Sequence, residues 1–345
     1  MKPISNIDST VISSRIRLAR NLAGFPFPNR ICDLTQALEI IRLVHGAASG
    51  VRAFNLYYMS EILEGVALSL RDDHLISAEL IANKDYGAAL IDEGDEEDPE
   101  DFCGKVSIMI NEEDHLREQL IVKGLNLSRA YQTLSGMDDE LSKTLRFAFD
   151  GKLGYLTACP TNLGTGLRAS VMLFLPGLTR MKKMKSVISE VSRLGHTVRG
   201  VYGEGSAAEG YMYQISNEVT LGVDEEYILS EVQKAVLEIV NLESHARRAL
   251  VSRDKIGVKD ACRRALGILT HCERISFAEF IRLISEVKLG AAVGFVKVKD
   301  ISLLDDLIAA VRPANLSILS DGLSEKERDV LRAQKCRETL QKSAE

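Results

Sequence analysis

The chain has 345 residues, a formal net charge of −6, 46% hydrophobic and 27% charged residues, which is typical of a globular protein of about two domains. Residues 92–101 hold eight acids and no base, so the rest of the chain carries −6 + 8 = +2. This distribution excludes any argument from bulk acidity to a class of partner. The like charges predict an exposed loop.

The composition excludes further classes. No apolar run reaches the roughly 18–20 residues that a transmembrane helix needs, and the N-terminus lacks the apolar region of a signal peptide. Six cysteines occur without CxxC spacing, which favours a reducing compartment over a zinc site or a disulfide framework. We therefore expect a cytoplasmic chain with no membrane segment and no metal centre.

Hydrophobic spacing predicts secondary structure along the chain. Apolar side chains at helical spacing predict a helix over residues 35–45, and alternation predicts a strand over 105–110. Further helices are predicted over 181–194, ended by a glycine, and over 224–240, where acidic residues suit the helix start.

The C-terminal part is predicted to be a smaller helical unit. The basic segment 245–255 predicts a hinge, so we divide the chain into domains at residues 1–245 and 246–345. Ser324 and Glu327 have capping-box spacing, which predicts a helix that ends near Leu340.

The first candidate motif is SSRIR, at residues 13–17. Arg15 and Arg17 lie two residues apart and would project to the same side of a strand. Guanidinium groups match phosphate oxygens in bidentate geometry. Taken alone, however, the motif fits a solvated strand edge better.

The second and third motifs are NEEDHLR at 111–117 and CPTNLGTGLRAS at 159–170. Three acids, a His and an Arg after a strand could form a site with shifted pKa values, although a polar turn is the simpler interpretation. In the other motif, Gly164 and Gly166 permit close backbone approach to a phosphate, and Arg168 adds a donor. Cys159 fits either a reactive thiol or a buried structural one.

The fourth motif is RGVYGEGSAAEG at 199–210, with four glycines in twelve residues. This composition favours a flexible lid that excludes water from a reaction. An ordinary surface loop is the alternative.

In this order, the four motifs resemble the catalytic domain of the phosphagen (guanidino) kinases, which transfer the γ-phosphoryl group of ATP to a guanidinium nitrogen. The resemblance spans about residues 10–240 and implies ATP and Mg²⁺ as cofactors. It also implies an α+β fold, in which a catalytic domain with an antiparallel sheet flanked by helices precedes a smaller, mainly helical domain.

The C-terminal region resembles one branch of that family, the bacterial protein arginine kinases of the McsB type. Only twelve residues precede Ser13, where metabolite kinases carry a helical substrate domain. The strings FPFP, RDDHLIS, GILTHCERIS and VKLG also match. RDVLRA at 328–333 is similar to a phosphoarginine-binding motif, which implies such a pocket at Arg328, Asp329, Arg332 and Ala333. A charged, solvated helix face is the alternative.

The resemblance also implies roles for individual residues. Glu113 would be the general base, and Cys159 would contact the guanidinium. The flap glutamate of arginine kinases aligns with Ala207, and Glu209 could replace it. The implied nucleotide-binding positions are Ser13, Ser14, Arg15, Ile16, Arg17, His74, Arg117, Arg168, Ala169, Ser170, Val171, Met172, Arg199, Gly200, Val201, Tyr202, Gly203 and Glu204.

The implied partners are proteins with exposed arginines, including a heat-shock repressor and misfolded proteins, an McsA-like activator and a Clp ATPase. A homodimer with allosteric control and a role in the stress response is also implied, without direct nucleic-acid or membrane binding. Two other functions stay open: a weakened or inactive pseudokinase that acts as a phosphoarginine-binding scaffold, and a small-metabolite guanidino kinase. The acidic loop could be a solubilising insertion or could attract basic substrates.

Overall fold

The computed structural model describes residues 4–92, 104–200, 209–319 and 323–343. Its strands are β1 (Val11–Arg20), β2 (Phe54–Tyr58), β3 (Ala88–Asp92), β4 (Gly104–Ile110), β5 (Leu116–Lys123), β6 (Phe149–Asp150), β7 (Gly154–Tyr155), β8 (Leu167–Phe174), β9 (His196–Gly200) and β10 (Met212–Asn217). Its helices are α1 (Leu34–Ser49), α2 (Glu64–Asp72), α3 (Ala78–Ala82), α4 (Leu127–Ser142), α5 (Pro176–Arg180), α6 (Met184–Arg193), α7 (Glu225–Arg253), α8 (Lys255–His271), α9 (Phe277–Ala292), α10 (Ser302–Ala310), α11 (Pro313–Leu319) and α12 (Glu325–Ser343). Single 3₁₀ turns occupy Pro28–Arg30, Pro160–Asn162 and Glu209–Tyr211.

The strands form an eight-stranded sheet in the order β2-β3-β4-β5-β1-β8-β10-β9, and β6 pairs with β7 in a separate hairpin. The pairs β1–β5, β2–β3, β3–β4 and β4–β5 are antiparallel. Strand β4 confirms the strand predicted at 105–110. Together with the helical C-terminal region, this sheet confirms the expected α+β fold.

The chain divides into two compact units. The first unit comprises Met1–Ile12, Val171–Ile215 and Lys234–Glu345, and the second comprises Ser13–Ser170 and Ser216–Gln233. In the first unit, buried apolar side chains of α8, α9 and α10 form one core, which includes Leu269, Ile284 and Leu304. In the second unit, Leu80 and Met109 belong to another core.

The predicted hinge at 245–255 is wrong for most of its length, because α7 continues through Arg253. The basic side chain of Arg247 is buried in the first unit rather than solvated. Its Nε donates to Glu243 Oε1 at 2.7 Å, and its Nη1 and Nη2 donate to Ser9 Oγ and Phe174 O. A paired, buried arginine one turn from its glutamate supports the helix instead of ending it. Asp254 then caps the next helix, accepting the Gly257 amide.

Two other helix predictions are refined. The helix predicted over 181–194 begins at Met184, because Lys182 has a left-handed φ of 58° that separates α5 from α6. The capping box is confirmed: the Ser324 amide donates to Glu327 Oε2 at 2.8 Å, and the Glu327 amide donates to Ser324 Oγ at 3.4 Å.

Among the described residues, no helix is long and apolar enough to cross a membrane. Of the acidic loop, 93–101 lies outside the described residues, while Asp92 accepts from Arg52 at 2.7 Å.

Candidate active site

Strand β1 separates two kinds of side chain. Arg15 and Arg17 lie on one face, as the strand alternation predicts, and both are partly buried. Ile16 and Ser14 are fully buried on the other face. The Ser14 hydroxyl donates to Gly124 O at 2.7 Å and so holds the turn after β5. A ligand on the arginine face can therefore meet Ser14 and Ile16 only through their backbone.

Four arginines of the second unit repel one another. Burial, together with the positive charges of Arg117 and Arg168, lowers the pKa of Arg15 to about 10. Burial and the same neighbours lower the pKa of Arg17 well below its ordinary value. The Nε atoms of Arg17 and Arg117 are buried without a hydrogen-bond partner among the described residues. Such a concentration of positive charge fits a polyanion such as a nucleotide triphosphate.

A tight turn follows β4 and presents two glutamates. Asn111 opens this turn with a left-handed φ of 55°, a conformation that asparagine tolerates better than most residues. Its amide donates to His115 O at 3.1 Å, and its Nδ2 donates to Tyr86 O at 3.0 Å. The turn is therefore held at its base, with Glu112 and Glu113 near its tip.

The two glutamates have different environments. Glu112 accepts from Arg117 Nη1 at 2.7 Å and from the Ser77 hydroxyl at 2.5 Å. Glu113 is exposed, and its carboxylate makes no hydrogen bond or ion pair with the described residues. Glu112 therefore orients an arginine, whereas the Glu113 carboxylate is available to a substrate.

Asp114 connects this turn to the cysteine loop. Its Oδ1 accepts from Asn21 Nδ2 at 2.6 Å and from the Ala158 amide at 2.7 Å. Burial raises the pKa of the Asp114 carboxyl, although these hydrogen bonds oppose the shift. Cys159 follows immediately, with its Sγ 3.0 Å from Thr161 Oγ1. The structure thus brings the predicted base and the predicted cysteine onto connected segments.

His115 is a buried, neutral support of the same turn. The Leu22 amide donates to its Nδ1 at 3.0 Å, and its Nε2 lies 2.8 Å from Pro26 O. A neutral ring with its proton on Nε2 satisfies both contacts. Burial lowers the pKa of His115 to about 4.

We expect this histidine to make folding pH-dependent. Between pH 6.5 and about 4 the unfolded chain binds a proton that native His115 does not, so stability rises with pH across this window and falls on acidification. The contribution is at most about 3 kcal/mol. Denaturant titrations at several pH values measure the slope. His115→Asn keeps an acceptor for the Leu22 amide, and it should flatten the curve; an unchanged slope would contradict the assignment.

Ser216 and Asn217, which the motif analysis did not select as candidates, hold the start of β8. Arg168 Nη2 donates to Ser216 Oγ at 3.0 Å. The Ala169 amide donates to Asn217 Oδ1 at 2.8 Å, while Asn217 Nδ2 donates to Leu167 O at 3.0 Å. The string YQISN after the glycine-rich motif was the available signal, because a serine and an asparagine ending an apolar strand need polar partners.

The other predicted positions are dispersed. His74 has a left-handed φ of 61°, and its carbonyl accepts from Gln119 Nε2 at 2.7 Å. Ser13 is partly buried on β1, and Ser170 is buried on β8. Glu209, in the first unit, has a buried Oε2 without a hydrogen-bond partner among the described residues. The first unit also holds Val171, Met172, Arg199 and Gly200. Outside the described residues lie Val201, Tyr202, Gly203, Glu204 and Ala207.

The predicted phosphoarginine pocket lies on α12 of the first unit. Arg332 is buried, and it donates from Nε to Val311 O at 3.1 Å and from Nη1 to Ile275 O at 2.9 Å. The same Nη1 contacts Asp329 Oδ1 at 2.5 Å. Arg328 is half-buried and donates to Leu323 O at 2.9 Å. Ala333 is part of the apolar core. Arg332 therefore already has structural partners, and Arg328 is the more available cation.

Comparison with known proteins gives the same family for both regions. Residues 38–246 match the ATP:guanido phosphotransferase, C-terminal catalytic domain, and residues 255–345 match the protein-arginine kinase McsB C-terminal domain. The protein-arginine kinase of Clostridium kluyveri is 42% identical over 335 residues, covering 96% of this chain and 94% of the relative. That of Halothermothrix orenii is 43% identical over 328 residues, covering 94% and 91%.

Solved structures share this fold over about 70% of the chain. The substrate-free duplicated taurocyamine kinase from Schistosoma mansoni has a TM-score of 0.57 at 27% identity, covering 71% of this chain and 35% of that chain. A crystal structure of lombricine kinase has a TM-score of 0.57 at 27% identity, covering 70% and 69%. These matches confirm the resemblance seen in the motifs. The chain belongs to the protein-arginine kinase family of the ATP:guanido phosphotransferases.

Proposed function

We propose that this chain transfers the γ-phosphoryl group of ATP to arginine side chains of proteins. The observation that carries the proposal is that the second unit holds both an exposed Glu113, whose carboxylate has no partner among the described residues, and a cluster of mutually repelling arginines. The cluster suits the phosphates of ATP, and the carboxylate suits a guanidinium. The 42% identity to a protein-arginine kinase over 96% of the chain supports proteins as the substrate class.

The proposed reaction has one chemical step. An arginine side chain stays protonated at neutral pH because its pKa is very high, so its guanidinium must lose a proton as it becomes a nucleophile. Glu113 accepts this proton while the N–P bond forms and the bond between the γ-phosphorus and the bridging oxygen breaks, which releases ADP. Arg15, Arg17, Arg117 and Arg168 stabilise the phosphoryl oxygens throughout.

Mg²⁺ would enter as part of the substrate MgATP. Among the residues that the structure describes, no group of three His, Cys, Asp or Glu side chains could hold a metal ion. Magnesium is commonly bound through substrate phosphates and water with few protein ligands. The arginines would therefore bind the phosphates of the MgATP complex.

We propose supporting roles for the other predicted positions. Cys159 orients the guanidinium from its place beside Thr161, and Glu209 supplies the second carboxylate in the absence of a glutamate at Ala207. The nucleotide is further bound by Ser13, the β1 backbone at Ser14 and Ile16, His74, residues 168–172 and residues 199–204. Residues 1–245 form the catalytic domain and residues 246–345 the regulatory one.

We also propose that Arg328 and Asp329 bind phosphoarginine, giving allosteric control. Arg328 would contact the phosphate and Asp329 the guanidinium half of the ligand. The double variant Arg328→Ala/Asp329→Ala should reduce affinity for free phosphoarginine at least tenfold in calorimetry, since charged hydrogen bonds contribute about 1.5–3 kcal/mol each. Arg264→Ala, on an exposed position of α8, is the matched control. Equal affinity of the double variant and the wild type would refute the pocket.

The biological setting follows from the same proposal. We expect cytoplasmic substrates that include a heat-shock repressor and misfolded proteins, in a stress response that involves a Clp ATPase, an McsA-like activator and a homodimer.

The proposed activity has a direct test. The chain is incubated with MgATP and, in parallel, an arginine-rich protein, free arginine or creatine, and acid-labile phosphate is measured. We expect phosphoarginine on the protein substrate. Phosphate transfer to creatine or free arginine alone would indicate a metabolite kinase and overturn the proposal.

A further inference from the structure

Four large apolar side chains of the second unit face solvent near the candidate site. Phe149 is 61% exposed, Leu153 43%, Val219 48% and Leu221 45%. Isolated exposed apolar residues are common in proteins, but contiguous ones mark interaction sites. The contacts between the two backbone segments that carry these side chains show how near the segments lie to each other.

The first two side chains lie on a rigid hairpin. Asp150 Oδ1 accepts the amides of Lys152 and Leu153 at 2.8 and 3.0 Å, which fixes the turn between β6 and β7. Phe149 pairs with Tyr155 across the hairpin, with ring centroids 5.3 Å apart. The exposed side chains are therefore on ordered backbone.

Gly164 connects this hairpin to the other two side chains. The Tyr155 amide donates to Gly164 O at 2.8 Å, so the glycine pairs with the hairpin. A Cβ on Gly164 would lie 2.3 Å from Thr220 O and 2.9 Å from the Cα of Leu221, which only glycine permits. The hairpin and the segment around Thr220 thus contact the same residue, which places the two pairs of exposed side chains on neighbouring segments.

In the segment 219–221 the polar residue is buried and the two apolar residues are exposed, which is the reverse of the usual arrangement. Thr220 is buried, and its hydroxyl donates to Leu163 O at 2.7 Å, while Val219 and Leu221 point outward. A segment on a folded surface normally places its apolar residues inside and its polar residues outside. Core packing therefore does not account for the two outward apolar side chains.

This surface adjoins the residues proposed for chemistry. The loop paired through Gly164 contains Cys159, and the Ala158 amide donates to Asp114 Oδ1 at 2.7 Å, beside Glu113. An extended chain advances roughly 3.3 Å per residue, so positions two residues from an arginine lie within about 7 Å of its Cα. A protein substrate must consequently lay its neighbouring residues on the surface around this loop.

We propose that Phe149, Leu153, Val219 and Leu221 form a docking surface for an extended, apolar polypeptide segment that flanks the target arginine. The inference rests on the proposed function and specifies its local sequence preference: arginines whose flanking residues are apolar and can reach this surface. Arginines flanked by polar residues would be poorer substrates.

The test compares two peptides of equal length, each with a single arginine. One has leucines at the second and third positions on both sides, and the other has serines there. We expect the wild type to favour the leucine peptide about tenfold in kcat/KM, since burial of even one apolar side chain is worth that much. Two separate variants, Phe149→Ser/Leu153→Ser and Val219→Ser/Leu221→Ser, should each bring the ratio toward one.

The control variant is Leu63→Ser, which removes a 73% exposed leucine elsewhere in the second unit. It should retain the wild-type preference. A wild type without preference, or docking variants that retain it, would overturn the docking surface while leaving the kinase proposal intact. If neither peptide is phosphorylated, the kinase proposal fails. Fluorescence anisotropy of the labelled leucine peptide then decides the docking question, which is refuted when the variants bind as tightly as the wild type.

Discussion

Replacing Glu113 by glutamine is expected to lower kcat for protein phosphorylation by about 10²–10⁴-fold, the usual contribution of a positioned general base. Glutamine keeps the shape of the side chain but cannot accept the guanidinium proton. Because Glu113 is exposed and its carboxylate has no partner among the described residues, the fold should not depend on its charge. MgATP binding, measured by calorimetry, should therefore be unchanged.

Glu61→Gln is the matched control, because Glu61 is also an exposed glutamate of the second unit. It should have wild-type kinetics. Near-normal kcat in the Glu113→Gln variant would mean that another group accepts the proton, and Glu112 would be the next residue to test, although its contacts with Arg117 and Ser77 already occupy it.

The second large effect concerns Arg17, for which activity and stability should change in opposite directions. Arg17→Met is expected to reduce kcat/KM for MgATP by about 10²–10³-fold, comparable to the loss of one donor that stabilises transition-state charge. The same variant should melt at or above the wild-type temperature without nucleotide. The reason is that Arg17 is desolvated and repelled by Arg15, Arg117 and Arg168, so its removal relieves a cost in the free protein.

Thermal melting with and without MgATP measures both effects, since a ligand raises stability according to its affinity. The wild type should gain stability with MgATP and Arg17→Met should gain much less. Arg42→Met is the control, since Arg42 is exposed on α1. A variant that melts well below the wild type yet keeps its response to MgATP would make Arg17 a structural residue.

Local sequence patterns predicted much of this architecture. Alternation placed Arg15 and Arg17 on one face of a strand, and Ser324 with Glu327 marked the start of α12. In each case the signal lies within a few residues and depends on backbone geometry alone. The motifs predicted the family because each is a specific run of residues and because all four occur in the family's order along the chain.

Long-range contacts decided what the sequence could not predict. Segment 245–255 looked like a hinge because it is basic, but Arg247 is buried against Glu243 and Ser9. Asp114 looked like one more acid in a polar turn, and only its contact with the Ala158 amide shows that it joins two loops. Burial of a charge depends on partners far away in the chain, which hydrophobic periodicity does not record.

Arg332 is another charged residue whose burial the sequence did not predict, although it lies within a recognised motif. The resemblance implied that Arg328 and Arg332 both belong to a phosphoarginine-binding pocket, but Arg332 is 2% exposed and donates to Val311 O and Ile275 O. Its removal would break the packing of the first unit along with any ligand contact. The distinction matters for mutagenesis: of the two arginines, only Arg328 can be replaced to test ligand binding without also disturbing the fold.

The most direct test of the central claim is site-resolved mass spectrometry of a protein substrate after reaction with MgATP, under conditions that preserve acid-labile phosphate. Wild-type chain and Glu113→Gln are run side by side. The account predicts phosphate on arginine side chains of the substrate with the wild type, and little or none with the variant. Phosphate confined to serine, threonine or histidine, or equal phosphoarginine from both chains, would contradict it.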